Sequence, residues 1–136
     1  MDFVDFNLAK KLKEKGFVCD LPFAMYNELG HFALLTTSAL IRKAESGYTY
    51  RDYYAYEDFD GNDFIAPTIA QVLNWLQEEK KIYCLPYFEQ GIDMWLYSIC
   101  RPNMACEFSE FISESIYNDY EQAAIAGIEY VLNNSI

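Results

Sequence analysis

Apolar and polar residues alternate in two recognisable periods along the chain, and the two periods interleave. The first periodic stretch is helical. Leu8 and Leu12 are four apart and share a face, and Asp5 or Asn7 stands where a helix cap is wanted. The spacing predicts a helix over residues 6–15, closed by Gly16 in a left-handed turn. Two strand-like runs follow, Phe23–Glu28 and His31–Thr36, and Leu29-Gly30 between them suits a tight hairpin turn. Residues Ala39–Glu45 fit helix and strand equally. Pro67 leads into the best-specified helix, residues 68–80. There Thr68 and Gln71 have capping-box spacing, and Ile69, Val72, Leu73 and Leu76 form a stripe with Trp75 toward its edge. Ile82–Phe88 and Met94–Cys100 read as a second pair of strands with a turn at Gln90-Gly91. Pro86 cannot donate to a ladder, so the first of these is an edge strand or stops early. Arg101-Pro102-Asn103 is a further turn, and Cys106–Phe111 is a candidate short strand.

The closing helix is expected over residues 119–133. Asn118 and Glu121 approximate a capping box, and Ala124, Ile128, Val131 and Leu132 form the apolar stripe. Gly127 interrupts it at a cost of about 1 kcal/mol against alanine, and its small size would admit a close neighbour. The order is α-β-β-(β)-α-β-β-(β)-α. That order predicts a single α+β domain over 1–136, with a largely antiparallel sheet of four to six strands and about three helices packed on it.

Between the two strand groups lies an unusual stretch, residues 48–64. It sets Tyr48, Tyr50, Tyr53, Tyr54 and Tyr56 among acids that include Asp58 and Asp60. Tyr is amphipathic and suits contact surfaces, so these seven residues are the candidate interaction surface. A calcium loop does not fit here. With Gly61 at position six, Tyr56 takes position one and Pro67 position twelve, where carboxylates are required.

Charge sharpens the picture. Twenty-one acids face ten bases, for a formal net charge of −11. From Ile82 onward Arg101 is the one base against eight acids, Glu89, Asp93, Glu107, Glu110, Glu114, Asp119, Glu121 and Glu129, which places −7 of the total there. The four lysines of the first helix, Lys10, Lys11, Lys13 and Lys15, form the one basic face. So acidic a surface repels phosphate backbones, and the expected partner is a protein with a basic surface rather than a nucleic acid. The longest uncharged run, Phe64–Gln77, is too short and too polar to span a bilayer, and the acidic N-terminus lacks the form of a signal peptide. A cytoplasmic setting with reduced thiols is expected.

Chemistry finds little purchase. Cys19, Cys84, Cys100 and Cys106 contain no C-x-x-C pair, and His31 is the sole histidine, so neither a metal centre nor a histidine-assisted nucleophile is expected. Phosphate loops, H-E-x-x-H and G-x-S-x-G are missing. No cofactor and no catalytic residue is expected. Two alternatives to an interaction module remain: a decoy that imitates nucleic acid with rows of carboxylates, and a carboxylate-dependent enzyme.

Three segments carry a resemblance. They are Leu8–Phe17, Ala66–Lys80 (APTIAQVLNWLQEEK) and Tyr120–Leu132 (YEQAAIAGIEYVL). Taken together, the chain resembles a family of small uncharacterised proteins encoded by Bacteroides-type gut bacteria and their prophages or mobile elements. The resemblance implies a bacterial cytoplasmic setting and mobile-element cargo. It transfers no functional residue.

Overall fold

The computed structural model describes residues 2–19, 22–34, 63–101 and 111–136. Its elements, in chain order, are α1 (Phe6–Glu14), β1 (Ala24–Tyr26), β2 (Phe32–Leu34), β3 (Phe64–Ile65), α2 (Ile69–Glu79), β4 (Tyr83–Glu89), β5 (Met94–Cys100), β6 (Phe111–Ile112) and α3 (Tyr120–Asn134). This is the expected α+β order. The expected single sheet of four to six strands is corrected to two antiparallel sheets of three strands, β2-β1-β3 and β4-β5-β6. Local alternation marks a strand but not its partner, and pairing here stays within each half of the chain. The chain divides into two compact units, Phe3–Thr68 and Ile69–Ile136, with Asp2 belonging to the second.

In the first unit, Asp5 is the cap of α1. Its Oδ1 accepts from the Leu8 amide at 2.8 Å, which satisfies one otherwise orphaned donor of the first turn. Leu8, Ala9 and Leu12 are buried, as the four-residue spacing requires. Gly16 takes φ +86° and the Phe17 amide donates back to the Leu12 carbonyl, closing the helix where expected. The β1–β2 hairpin pairs Ala24 with Leu34 and Tyr26 with Phe32. Its turn is held by Asn27, whose Oδ1 accepts from the amides of Leu29 and His31, each at 2.9 Å. Gly30 supplies φ +87°. Strand β3 pairs with the other edge of β1. The Tyr26 hydroxyl donates to the Val4 carbonyl at 2.6 Å, and burial followed by the nearby Asp5 carboxylate raises its pKa.

In the second unit, α2 buries Ile69, Val72, Trp75 and Leu76. Trp75 is therefore part of the core stripe rather than its margin, while Leu73 is half-buried. Strands β4 and β5 pair along their whole length, from Tyr83 opposite Cys100 to Glu89 opposite Met94. Pro86 lies in the edge strand β4, as its missing donor demands, and the strand continues past it. In the connecting turn the left-handed residue is Asp93, at φ 53°, not Gly91. Strand β6, Phe111–Ile112, overlaps the expected strand Cys106–Phe111 at Phe111, and residues 106–110 of that expectation lie outside the described part.

Helix α3 begins one residue later than its sequence suggests. Asp119, not Asn118, is the cap, and its Oδ1 accepts from the Gln122 amide at 2.8 Å. Gln122 Oε1 in turn accepts from the Asn118 amide at 3.3 Å, one residue before the cap, so Gln122 rather than Glu121 folds back over the helix start. Ala123, Ala124, Gly127, Ile128, Val131 and Leu132 are buried against the sheet. At Gly127 a Cβ would lie 2.5 Å from Cys84 Sγ and 3.1 Å from the Tyr97 ring. Glycine is there because two core side chains occupy the space a methyl would need. Burial pushes both the Cys84 thiol and the Tyr97 phenol up to about 12.

Candidate functional site

The seven residues singled out for contact, Tyr48, Tyr50, Tyr53, Tyr54, Tyr56, Asp58 and Asp60, lie outside the described residues, as do Ala39–Glu45. Two other places can be built from side chains upward.

The first is a recess of about 260 Å³ in the first unit, lined by Ala9, Lys13, Phe17, Val18, Cys19, Asp63 and Ile65. It is slightly below the ~300–1,000 Å³ usual for small-molecule sites. Lys13 Nζ donates to the Asp63 main-chain carbonyl at 2.9 Å and sits 4.8 Å from the centre of the Phe64 ring. The ammonium thus ties α1 to the start of β3. Among the described residues, no group of three or more His, Cys, Asp or Glu side chains could hold a metal ion. His31 is exposed in the hairpin turn, with Nδ1 3.3 Å from Asn27 Nδ2.

The second is an aromatic end of the second unit. Phe88 and Trp95 are direct cross-strand partners on β4 and β5, so they share one sheet face. Their ring centroids are 5.7 Å apart at 61°. Tyr120, in the first turn of α3, meets the other side of the pair, 5.6 Å from Trp95 at 86°. Main-chain bonds fix this corner. The Trp95 amide donates to the Tyr117 carbonyl at 2.9 Å, and the Tyr117 amide donates to the Trp95 carbonyl at 2.8 Å. Three rings set edge to face in this way form a rigid run, a geometry favoured by their quadrupoles. Yet the run is not core. Phe88 is 46% exposed and Tyr120 42%, and Ile92 and Ile116 nearby in sequence are each 52% exposed.

Charge is arranged around this end. Glu89 follows Phe88, Asp93 lies in the β4–β5 turn, Glu114 precedes the Tyr117 bridge, and Asp119 and Glu121 flank Tyr120. The bases of the second unit's described residues are elsewhere. Lys80 and Lys81 precede β4 at the end that pairs with Cys100, and Arg101 follows Cys100. Arg101 Nη2 donates to the Ser135 carbonyl at 3.4 Å, beside the C-terminal end of α3. Arg101 lies six positions after Trp95 along β5 and its end, or about 20 Å at the usual rise. Glu78 and Glu79 share that end with Lys80 and Lys81, so it holds both signs, whereas the ring end holds acids and none of the unit's described bases.

Sequence reading missed this group because its members come from two strands and a helix. The acid excess after Ile82 was the one visible sign. No known protein family, curated sequence or solved structure matches the chain. No helix among the described residues is long and apolar enough to cross a membrane.

Proposed function

We propose that this protein is a non-catalytic interaction module, most of whose binding energy comes from the ring run Phe88–Trp95–Tyr120 at the acidic end of its second unit, and that its partner is a protein with a basic surface. The observation that carries this reading is the exposure of a built aromatic corner among carboxylates. Trp and Tyr are enriched where binding energy concentrates, and such rings lose little conformational freedom on contact because they are already packed against one another. The acids would speed and orient encounter with a basic partner. Imitation of nucleic acid would instead call for carboxylates in rows at phosphate-like spacing, and the grouping of acids around rings favours the contact reading. The resemblance of α1, α2 and α3 to proteins of Bacteroides-type bacteria and their mobile elements supports a bacterial cytoplasmic setting.

A photo-crosslinking amino acid at position 116, beside the corner, tests the proposal in cells that make the protein. Discrete adducts should form from position 116 and not from position 77, an exposed site on α2. Equal labelling from both, or from position 77 alone, would contradict it.

A further inference from the structure

We infer that the corner formed by Phe88, Trp95 and Tyr120 recognises arginine side chains of a peptide segment in which arginine and apolar residues alternate. This rests on the interaction reading and specifies the chemistry of its partner.

Rings at 61° and 86° to Trp95 leave aromatic surface facing in more than one direction, and two of the three rings are more than two-fifths exposed. Aromatic faces attract cations through their quadrupole, and the faces open to one here are those of Phe88 and Tyr120, with Trp95 half-buried between them. Glu89, Asp119 and Glu121 are sequence neighbours of the rings and Asp93 lies in the turn before Trp95, and all but Glu121 are exposed. A group that satisfies both surfaces must be flat, cationic and rich in donors. Guanidinium meets all three conditions, stacking on a ring while its N–H fork reaches a carboxylate, whereas ammonium is a hydrated point charge without a plane. Ile92 and Ile116 add exposed apolar surface, so a purely basic peptide would leave part of the patch wet. An acidic peptide meets only repulsion, because the bases of this unit's described residues lie at the opposite end of β5. A second copy of the chain is opposed by the same rule, since like ends and a net charge of −11 repel.

The test titrates the full chain, by calorimetry, with three short peptides that alternate leucine with arginine, with lysine or with glutamate. The arginine peptide should bind at least ~10-fold tighter than the glutamate peptide, with lysine between them and affinity falling as salt rises. Tyr120→Ala should weaken arginine-peptide binding by roughly 10-fold, the scale of losing one cation–aromatic contact with its packing. Glu89→Gln with Asp93→Asn, which leave the rings in place, should lower the salt dependence. Equal affinity for arginine and glutamate peptides, still lost in Tyr120→Ala, would sink the arginine inference alone and leave a contact module. Failure of all three peptides to bind a chain shown by circular dichroism to be folded would sink both. A concentration-dependent dimer abolished by Tyr120→Ala would also overturn the inference, since the corner would then be occupied by a second copy.

Discussion

Replacing Gly127 with alanine sets two known effects against each other, and the structure says which wins. In an exposed helix the change would stabilise by about 1 kcal/mol, because alanine loses less conformational freedom. Here the new methyl would stand 2.5 Å from Cys84 Sγ and 3.1 and 3.2 Å from two atoms of the Tyr97 ring. Both side chains are buried, Cys84 at 5% exposure and Tyr97 at 6%, so neither can swing away into solvent. Forcing a methyl into a packed core costs roughly 1–3 kcal/mol. The net expectation is a loss of about 0–2 kcal/mol, in the opposite sense to the helix propensity. The sulfur is the closer obstacle, so Cys84→Ala is the informative partner. Alone it should cost about 1 kcal/mol, for one buried heavy atom and a small void. Combined with Gly127→Ala it should cost less than the sum of the two, because the methyl fills the space the sulfur vacates. A favourable coupling of about 1 kcal/mol is expected. Urea unfolding followed by circular dichroism would measure all four species. If Gly127→Ala stabilises by the full propensity gain and the cycle closes with no coupling, the packing described for α3 on β4 and β5 is wrong.

Stability should also fall at alkaline pH. Cys84 and Tyr97 have ordinary values of 9.0 and 10.0 and are pushed up to about 12 by burial, so the unfolded chain releases these protons first. The stabilisation is complete below pH 9 and is lost as pH rises toward 12. The slope approaches about 1.4 kcal/mol per pH unit for each group, and Cys84→Ala should remove the part that begins near pH 9. A urea midpoint flat from pH 8 to about 11 would contradict this. Lys81 holds φ 56°, so Lys81→Gly should raise stability by up to about 1 kcal/mol in the same assay, and a loss would show that its side chain matters more than its backbone. Asp5→Ala should cost about 1 kcal/mol through the lost bond to the Leu8 amide, while Asp5→Asn should cost little. Equal losses in the two would point to charge rather than capping.

Much of the local structure is legible in the residues. The four-residue spacing of Leu8 and Leu12, the Leu29-Gly30 turn and the strand-like runs Ile82–Phe88 and Met94–Cys100 each name their element, because the information lies within a few positions. What could not be read is which strands share a sheet. Register and partner depend on contacts far apart in sequence, so two three-stranded sheets looked like one larger sheet. The cap of α3 was displaced by one residue because Asn118, Asp119, Glu121 and Gln122 supply two overlapping boxes, and only backbone geometry separates them. Trp75 lies at the edge of the stripe by spacing yet is buried, because the width of a stripe depends on what packs against it. The ring corner shows the same limit at a functional level. Phe88, Trp95 and Tyr120 span more than thirty positions, and nothing local links them, whereas the surplus of acids around them could be counted directly.

Cations are expected to come to the aromatic end of the second unit. The most direct test uses the two tryptophans as internal reporters. Trp75 is buried in α2 beneath Lys80, and Trp95 stands in the corner. In a proton–nitrogen correlation spectrum of the folded chain, with Trp95→Phe used for assignment, the leucine–arginine peptide should shift the Trp95 indole signal and leave that of Trp75 in place. Movement of the Trp75 signal alone, or an unmoved Trp95 signal when calorimetry shows the peptide bound, would contradict it.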